Sequence, residues 1–310
     1  MKIITTTLNP AFDLHYRMKD FYLYRENYVD SILVSVGGKG INISHALLKN
    51  GIDSISYVIL GNENASDFVS LLEADGLDFK AIYTEGKIRE NITIHTPGMP
   101  ETRISQEGFS VTEKITNQLF EKYRQIVDEN TVLTFTGRIP KGLSVEYITN
   151  NLVELREKNC MLAIDCNSLS MKELIDIRPW LIKPNKDEVE VLLDQRIDTI
   201  EEAMDAAVMI QKKGIENVII SMGEHGAAAA LNNSRFIAEG LRIDPLSTIG
   251  AGDSMIAGFI GAYIRQSSLK ECFANAVAYG TAACLTEGTA PPREEDIENI
   301  KNKIIITQPD

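Results

Sequence analysis

Short apolar runs alternate with amphipathic stretches along most of the chain. Residues 2–8, 54–60, 131–136, 161–165 and 217–221 are rich in Ile, Val and Leu, the pattern of strands buried on both faces. Apolar residues recur at three- and four-residue spacing over about 41–50, 64–75, 112–128, 144–158, 200–213, 253–266 and 268–285, which predicts helices. Gly51, Gly76 and Gly214 follow three of these stretches, as helix-terminating glycines do. Strand–helix alternation of this kind predicts an α/β chain whose sheet is mostly parallel and covered by helices on both faces.

Two segments break the alternation. Residues 14–36 are polar and aromatic, with strand character at 28–36. Residues 88–106 alternate like a hairpin around Pro97-Gly98-Met99-Pro100. Two strand pairs inserted into an α/β chain are expected to join as one small sheet. Such a sheet suits a lid over the strand C-termini, where open α/β folds bind ligands. The other reading is an edge extension or a dimer surface, with a homodimer formed through the lid. The division is then an α/β core of 1–12, 37–87 and 107–310, and a β lid of 13–36 and 88–106.

Composition narrows the function. Of 310 residues, 44% are hydrophobic and 24% charged, an ordinary globular balance. No apolar run approaches the roughly 20 residues that cross a bilayer. The opening MKIITTTLNP has no signal-peptide core, so the cytoplasm is the expected compartment. Cys160, Cys166, Cys272 and Cys284 show no metal or redox spacing and read as reduced, buried thiols. The formal net charge of −13 argues against nucleic acid and anionic membrane as partners. It also repels phosphorylated metabolites, so any phosphate site must be a local basic island.

Three motifs carry chemistry. Thr248-Ile249-Gly250-Ala251-Gly252-Asp253-Ser254 runs into the predicted helix from 253. Its glycines let backbone N–H groups converge on an anion at a helix start. A carboxylate beside such an anion is electrostatically wasteful unless it takes a proton from an attacking hydroxyl. The bland alternative is an N-cap Asp after a glycine turn. Ser35-Val36-Gly37-Gly38-Lys39-Gly40-Ile41-Asn42 opens another helix. It is neither a Walker A loop nor GxGxxG. Asn42 offers a donor and an acceptor to sugar hydroxyls, and a Gly-rich turn with a solvated Lys is the alternative. In Lys183-Pro184-Asn185-Lys186-Asp187-Glu188, the carboxylate and amide of Glu188 and Asn185 suit Mg²⁺ through water. On the motif alone a capping box, with Asn185 as N-cap and Glu188 as its N3 partner, is the reading to prefer. GxSxG, HExxH and CxxC are absent. His15, His45, His95 and His225 share no ligand spacing.

At these residues the chain resembles the PfkB carbohydrate kinase family, and the resemblance implies a ribokinase-like fold. That is a doubly wound, mostly parallel sheet of about eight or nine strands with flanking helices and a small β-sheet lid. Within the family it looks most like the 1-phosphofructokinase and tagatose-6-phosphate kinase branch. Thr7-Leu8-Asn9-Pro10-Ala11-Phe12-Asp13, Gly38-Lys39-Gly40-Ile41-Asn42-Ile43-Ser44 and Ser247 through Met255 are close to that branch's motifs. Arg89 and Asn91 match its lid strand. Three departures stand out: His45 replaces Arg, Arg138 replaces a small Ser, and the lid pattern is blurred at Arg25-Glu26-Asn27-Tyr28.

The resemblance implies an ATP- and Mg²⁺-dependent kinase with Asp253 as base and Gly250, Ala251 and Gly252 facing the transferred phosphoryl. Sugar phosphate is expected at Asp13, Gly38, Lys39, Asn42, Arg89 and Arg103, with Arg138 as a substitute clamp. ATP is expected near Lys183, Asn185, Ser221, Gly223, Gly226, Thr248 and Asn275, and magnesium near Asn185 and Glu188. Fructose 1-phosphate is the first expectation and tagatose 6-phosphate the second. An unphosphorylated sugar, or a non-catalytic sugar-phosphate sensor, is the weaker alternative.

Overall fold

A computed structural model describes residues 1–309. The first part of the chain forms β1 (Lys2–Thr7), β2 (Ala11–Arg17), β3 (Ser31–Gly37), α1 (Lys39–Lys49), β4 (Ile55–Gly61), α2 (Ala65–Ala74), β5 (Asp78–Thr84), β6 (Arg89–His95) and β7 (Thr102–Ser105). The middle forms α3 (Glu113–Ile126), β8 (Thr131–Thr136), α4 (Val145–Arg156), β9 (Met161–Asp165), α5 (Met171–Ile177), β10 (Leu181–Ile182), α6 (Lys186–Leu193), α7 (Ile200–Gln211) and β11 (Asn217–Ser221). The last part forms β12 (Gly226–Leu231), β13 (Ser234–Glu239), α8 (Ala251–Ile264), α9 (Leu269–Ala283), α10 (Glu294–Lys301) and β14 (Ile306–Thr307).

The main sheet has 10 strands in the order β14-β13-β12-β11-β10-β9-β8-β1-β4-β5. From β11 to β5 every pairing is parallel, and the β12, β13 and β14 edge is antiparallel. Alternation along each strand feeds two cores. Ile3 faces one and Ile4 the other; Ile219 faces one, and Val218 and Ile220 the other. Helices α1, α8, α9 and α10 cover one face, and α2, α3, α4 and α7 the other. The sheet is wider than eight or nine strands because its antiparallel edge carries weak sequence signals. In the run Gly226-Ala-Ala-Ala-Ala-Leu231 the four alanines and Leu231 are strong helix formers, yet the run forms β12. Its alanines are buried on both sides and let α7 and α9 approach the sheet closely.

The two irregular segments do join. Strands β3-β2-β6-β7 form a separate 4-stranded sheet. It begins at Ala11 and takes in Gly37, slightly beyond the boundaries expected from the sequence.

Helix α8 is buried over most of its length and depends on small residues. A Cβ at Gly258 would lie 2.7 Å from the Asn275 carbonyl oxygen and 2.7 Å from Tyr279 Cγ, both on α9. One at Gly261 would lie 2.6 Å from Ile52 Cδ1. Gly258→Val should therefore force α8 and α9 apart and cost about 1–3 kcal/mol. Chemical denaturation of the variant checks this, and an unchanged midpoint would contradict it.

Candidate active site

A cleft of about 1250 Å³ lies at the C-terminal ends of the parallel strands, between them and the small sheet. This is where open α/β sheets bind ligands. Its floor is the start of α8. Gly250 precedes the helix at φ 75°, a left-handed conformation that favours glycine. Asp253 sits in the first turn and is only 5% exposed.

Three groups meet Asp253. Asn42 of α1 donates from Nδ2 to Asp253 Oδ2 at 2.8 Å. Lys39, at the start of the same helix, lies within its field and donates to Asp165 Oδ2 at 3.0 Å. Lys183, just after β10, is buried with its ammonium against the helix start. A Cβ at Gly252 would lie 2.9 Å from Lys183 Nζ, so glycine leaves the ammonium its present place against the helix. Burial pushes the Asp253 carboxyl up, and the nearby Asp165 adds to it. Lys39, the Asn42 hydrogen bond and Lys183 oppose them, and the balance is about 7. Burial disfavours the charge on Lys39, but Asp165, Asp253 and Glu188 outweigh it and hold Lys39 protonated well above its ordinary range.

The small sheet supplies the opposite wall. Register places Asp13 beside Asn91, His15 beside Thr93, and Thr93 beside Arg103, all on the face turned to the cleft. Arg89 is on the same face. It donates to the Gln106 and Asn9 carbonyls at 3.1 and 3.3 Å, and burial lowers its pKa. Burial raises the Asp13 carboxyl, against hydrogen bonds from Asn91 and Thr289 and the charge of Arg89.

On the other side, Asn185, Ser221, Gly223, Gly226 and Thr248 line the same cleft. Asn185 and Glu188 form the capping box of α6: Glu188 N donates to Asn185 Oδ1 at 2.9 Å, and Asn185 N to Glu188 Oε2 at 3.0 Å. Both residues also line the cleft. Among the described residues no cluster of three His, Cys, Asp or Glu could cage a metal. The donor set fits an ion held mainly by water and phosphate oxygens, as Mg²⁺ usually is.

Two expected residues stand outside the cleft lining. Asn275 folds its amide back onto the Glu271 carbonyl of its own helix at 2.8 Å. The face of α9 that reaches the cleft is Val277, Gly280, Thr281 and Cys284, at helical spacing, and Asn275 points away from it. Arg138 is exposed in the loop after β8 and is not among the lining residues. Its charge is felt at Arg89 and Glu107 instead. Conversely, the sequence reading missed Asp165, Thr289 and His15. Only Asp165 carried a signal, as a carboxylate at the C-terminal end of a buried strand.

This fold and this cleft, with a carboxyl buried at a glycine-rich helix start, define a phosphotransferase acting on an alcohol group. The chain belongs to the pfkB family of carbohydrate kinases, whose model matches residues 7–296. A protein from Haemophilus influenzae named 1-phosphofructokinase is 29% identical over 306 residues, covering 98% of each chain. One of the same name from Borreliella burgdorferi is 32% identical over 284 residues, covering 91% of this chain and 92% of its own. The structure of phosphofructokinase-2 from Escherichia coli with substrates and products superposes with a TM-score of 0.91, at 24% identity, over 98% of this chain and 99% of that one.

The raised carboxyl makes a pH prediction. With Asp253 as the proton acceptor, protonation below about 7 would make kcat/KM fall about tenfold per pH unit on the acid side and level off above. Lys39→Met removes a cation that favours the carboxylate and should move this limb to higher pH. The substrate's own ionisation cancels between the two profiles, and coincident limbs would show that Lys39 does not tune Asp253.

Proposed function

We propose that this chain transfers the terminal phosphoryl group of ATP to a hydroxyl of a sugar phosphate, converting fructose 1-phosphate to fructose 1,6-bisphosphate. The observation that carries the reading is charge. In a chain of −13, one face of the small sheet turns Arg89 and Arg103 toward the cleft that Asp253 floors. An anionic sugar is the ligand that repays such an island. Two walls of opposite duty follow: cations and Asp13 hold the sugar, and the α8 start faces the nucleotide.

In this reading Asn42 occupies Oδ2 of Asp253, and Oδ1 accepts the proton of the sugar hydroxyl. The hydroxyl oxygen then bonds the transferred phosphorus as its bond to ADP breaks. The N–H groups of Gly250, Ala251 and Gly252 and the positive end of α8 stabilise charge on the moving phosphoryl. Lys183, Ser221, Gly223, Gly226 and Thr248 are assigned to ATP. Asn185 and Glu188 would hold Mg²⁺ through water, and the ion would neutralise phosphate charge. The small sheet, 13–36 and 88–106 with the strand ends beside them, is assigned as a lid on the core. Edge strand β3 exposes Ile32, Leu33 and Val34, and Leu23 and Tyr24 are exposed nearby. That apolar edge supports pairing of two copies through the lid. The four cysteines are free thiols, in keeping with a cytoplasmic enzyme.

Asp253→Asn should lower kcat by roughly 10²- to 10⁴-fold while ATP still binds. Retention of more than about a tenth of wild-type turnover, with chemistry limiting, would remove Asp253 from the role of base. The substrate assignment is tested by assaying fructose 1-phosphate, tagatose 6-phosphate and their unphosphorylated sugars with ATP and Mg²⁺. Arg103→Ala should lower kcat/KM for the phosphosugar by about 10- to 150-fold, the range of a charge-assisted contact. The unphosphorylated sugar should be affected far less. A wild-type preference for a free sugar over every phosphosugar would refute the sugar-phosphate reading and leave the kinase.

A further inference from the structure

The small sheet carries a further row of side chains beyond those that line the cleft. Arg17 of β2 pairs in register with His95 at the end of β6, and Glu101 immediately precedes β7. A core loop meets this face in step. The Thr289 hydroxyl bonds the Asp13 carboxyl, Gly288 lies against the His15 ring, and Glu287 pairs with Arg17. Gly288 has φ 59°, and any Cβ there would collide with His15. His15 is thereby clamped, with 4% exposure, between sheet and core.

From His15 a chain of polar contacts runs to Arg103. His15 Nδ1 lies 3.0 Å from His95 Nε2, with the rings stacked. The other nitrogen of His95, Nδ1, faces Glu101 Oε1 at 3.5 Å. Glu101 Oε2 accepts from Arg103 Nη2 at 2.7 Å. Glu101 Oε1 is buried and has no hydrogen-bond partner among the described residues, and His95 Nδ1 is the donor that faces it. With a proton on Nδ1, His95 faces Glu101 as a donor and its Nε2 accepts from His15 Nδ1–H. Burial holds His15 below its ordinary pKa.

Glu101 is costly where it stands. Its side chain is only 17% exposed, and its charge weakens the positive island of a protein that already repels anions. A carboxylate in that place is explained if it fixes a neighbour. Arginine presents five N–H donors in a rigid fork. A fork held by one edge has less freedom to lose when the other edge binds a ligand.

We propose that His15, His95 and Glu101 are positioning residues that grip Arg103 by Nη2 and present its remaining N–H groups to the anionic group of the substrate. The proposal rests on the sugar-phosphate reading above and adds what orients the arginine. Arg103 would then bind phosphate as a fixed fork rather than as a mobile surface cation.

The test is steady-state kinetics of Glu101→Gln in the full chain, using the phosphosugar that wild type prefers and the same sugar without phosphate. Gln keeps the shape and loses the charge. KM for the phosphosugar should rise about 3- to 12-fold with kcat within about twofold. KM for the free sugar should not move. His95→Gln should act in the same direction and less. In an Arg103→Ala background, Glu101→Gln should add less than about twofold, because its effect passes through the arginine. A fall in KM would mean that Glu101 competes for Arg103 and would overturn the proposal. So would a rise that persists without Arg103, or a loss shared by both sugars and by kcat. Thermal melting, with Glu101→Ala as a second variant, identifies any general loss of folding. If wild type prefers no phosphosugar, this inference falls with the sugar-phosphate reading. If Arg103→Ala abolishes the preference while Glu101→Gln leaves KM unchanged, the positioning role alone fails.

Discussion

A carboxyl taken out of water at the start of a helix has to be met by hydrogen bonds and opposite charge, and the centre of this molecule supplies both to Asp253. Asn42 and Lys39 come from the first turn of α1, Lys183 from the strand end beyond β10, and Asp165 from the end of β9. The Asn42–Asp253 and Lys39–Asp165 hydrogen bonds tie together chain segments more than a hundred residues apart. They also set the chemistry, because burial and Asp165 push the carboxyl up while the cations hold it down. The same residues cannot be optimised for stability alone. Asp253 would be better solvated anywhere on the surface, and the fold accepts its burial at a helix terminus whose positive end favours a negative charge.

Glycine makes that arrangement sterically feasible. Gly250 turns the chain into α8, and Gly252 leaves room for the Lys183 ammonium. Along the rest of α8, Gly258 and Gly261 bring α9 and the segment after α1 against the helix. The helix is consequently held on several sides, and the N–H groups at its start have a fixed direction. Preorganised donors of this kind stabilise developing charge without reorganisation at the moment of reaction.

The small sheet solves a different problem. A strongly acidic protein can attract an anion only where cations are concentrated and acids are kept from the ligand. Period-two alternation does this by placing Asp13, Arg89, Asn91 and Arg103 on one face. The acids on or against that face are tied down. Asp13 is held by Asn91 and Thr289, Glu101 by Arg103, and Glu287 by Arg17.

Hydrophobic periodicity alone determined the α/β class, seven of the helices to within a few residues, and five strands of the parallel sheet, because those signals are local and strong. The glycine-rich helix starts, with Asp253 and Lys39 in them, were legible for the same reason. The antiparallel edge was not, since an alanine run becomes β12 only when neighbours bury both of its faces. Asp165, Thr289 and His15 were not picked out because a single polar residue acquires a role only from what lies across from it. Asn275 and Arg138 marked the converse limit: motif position placed them near the ligands, and the rotation of a helix face and the course of a loop kept them out of the lining. Sequence determines which residue types are available. Tertiary structure decides which side chains share a cavity, because distance and burial between remote segments have no counterpart in local pattern.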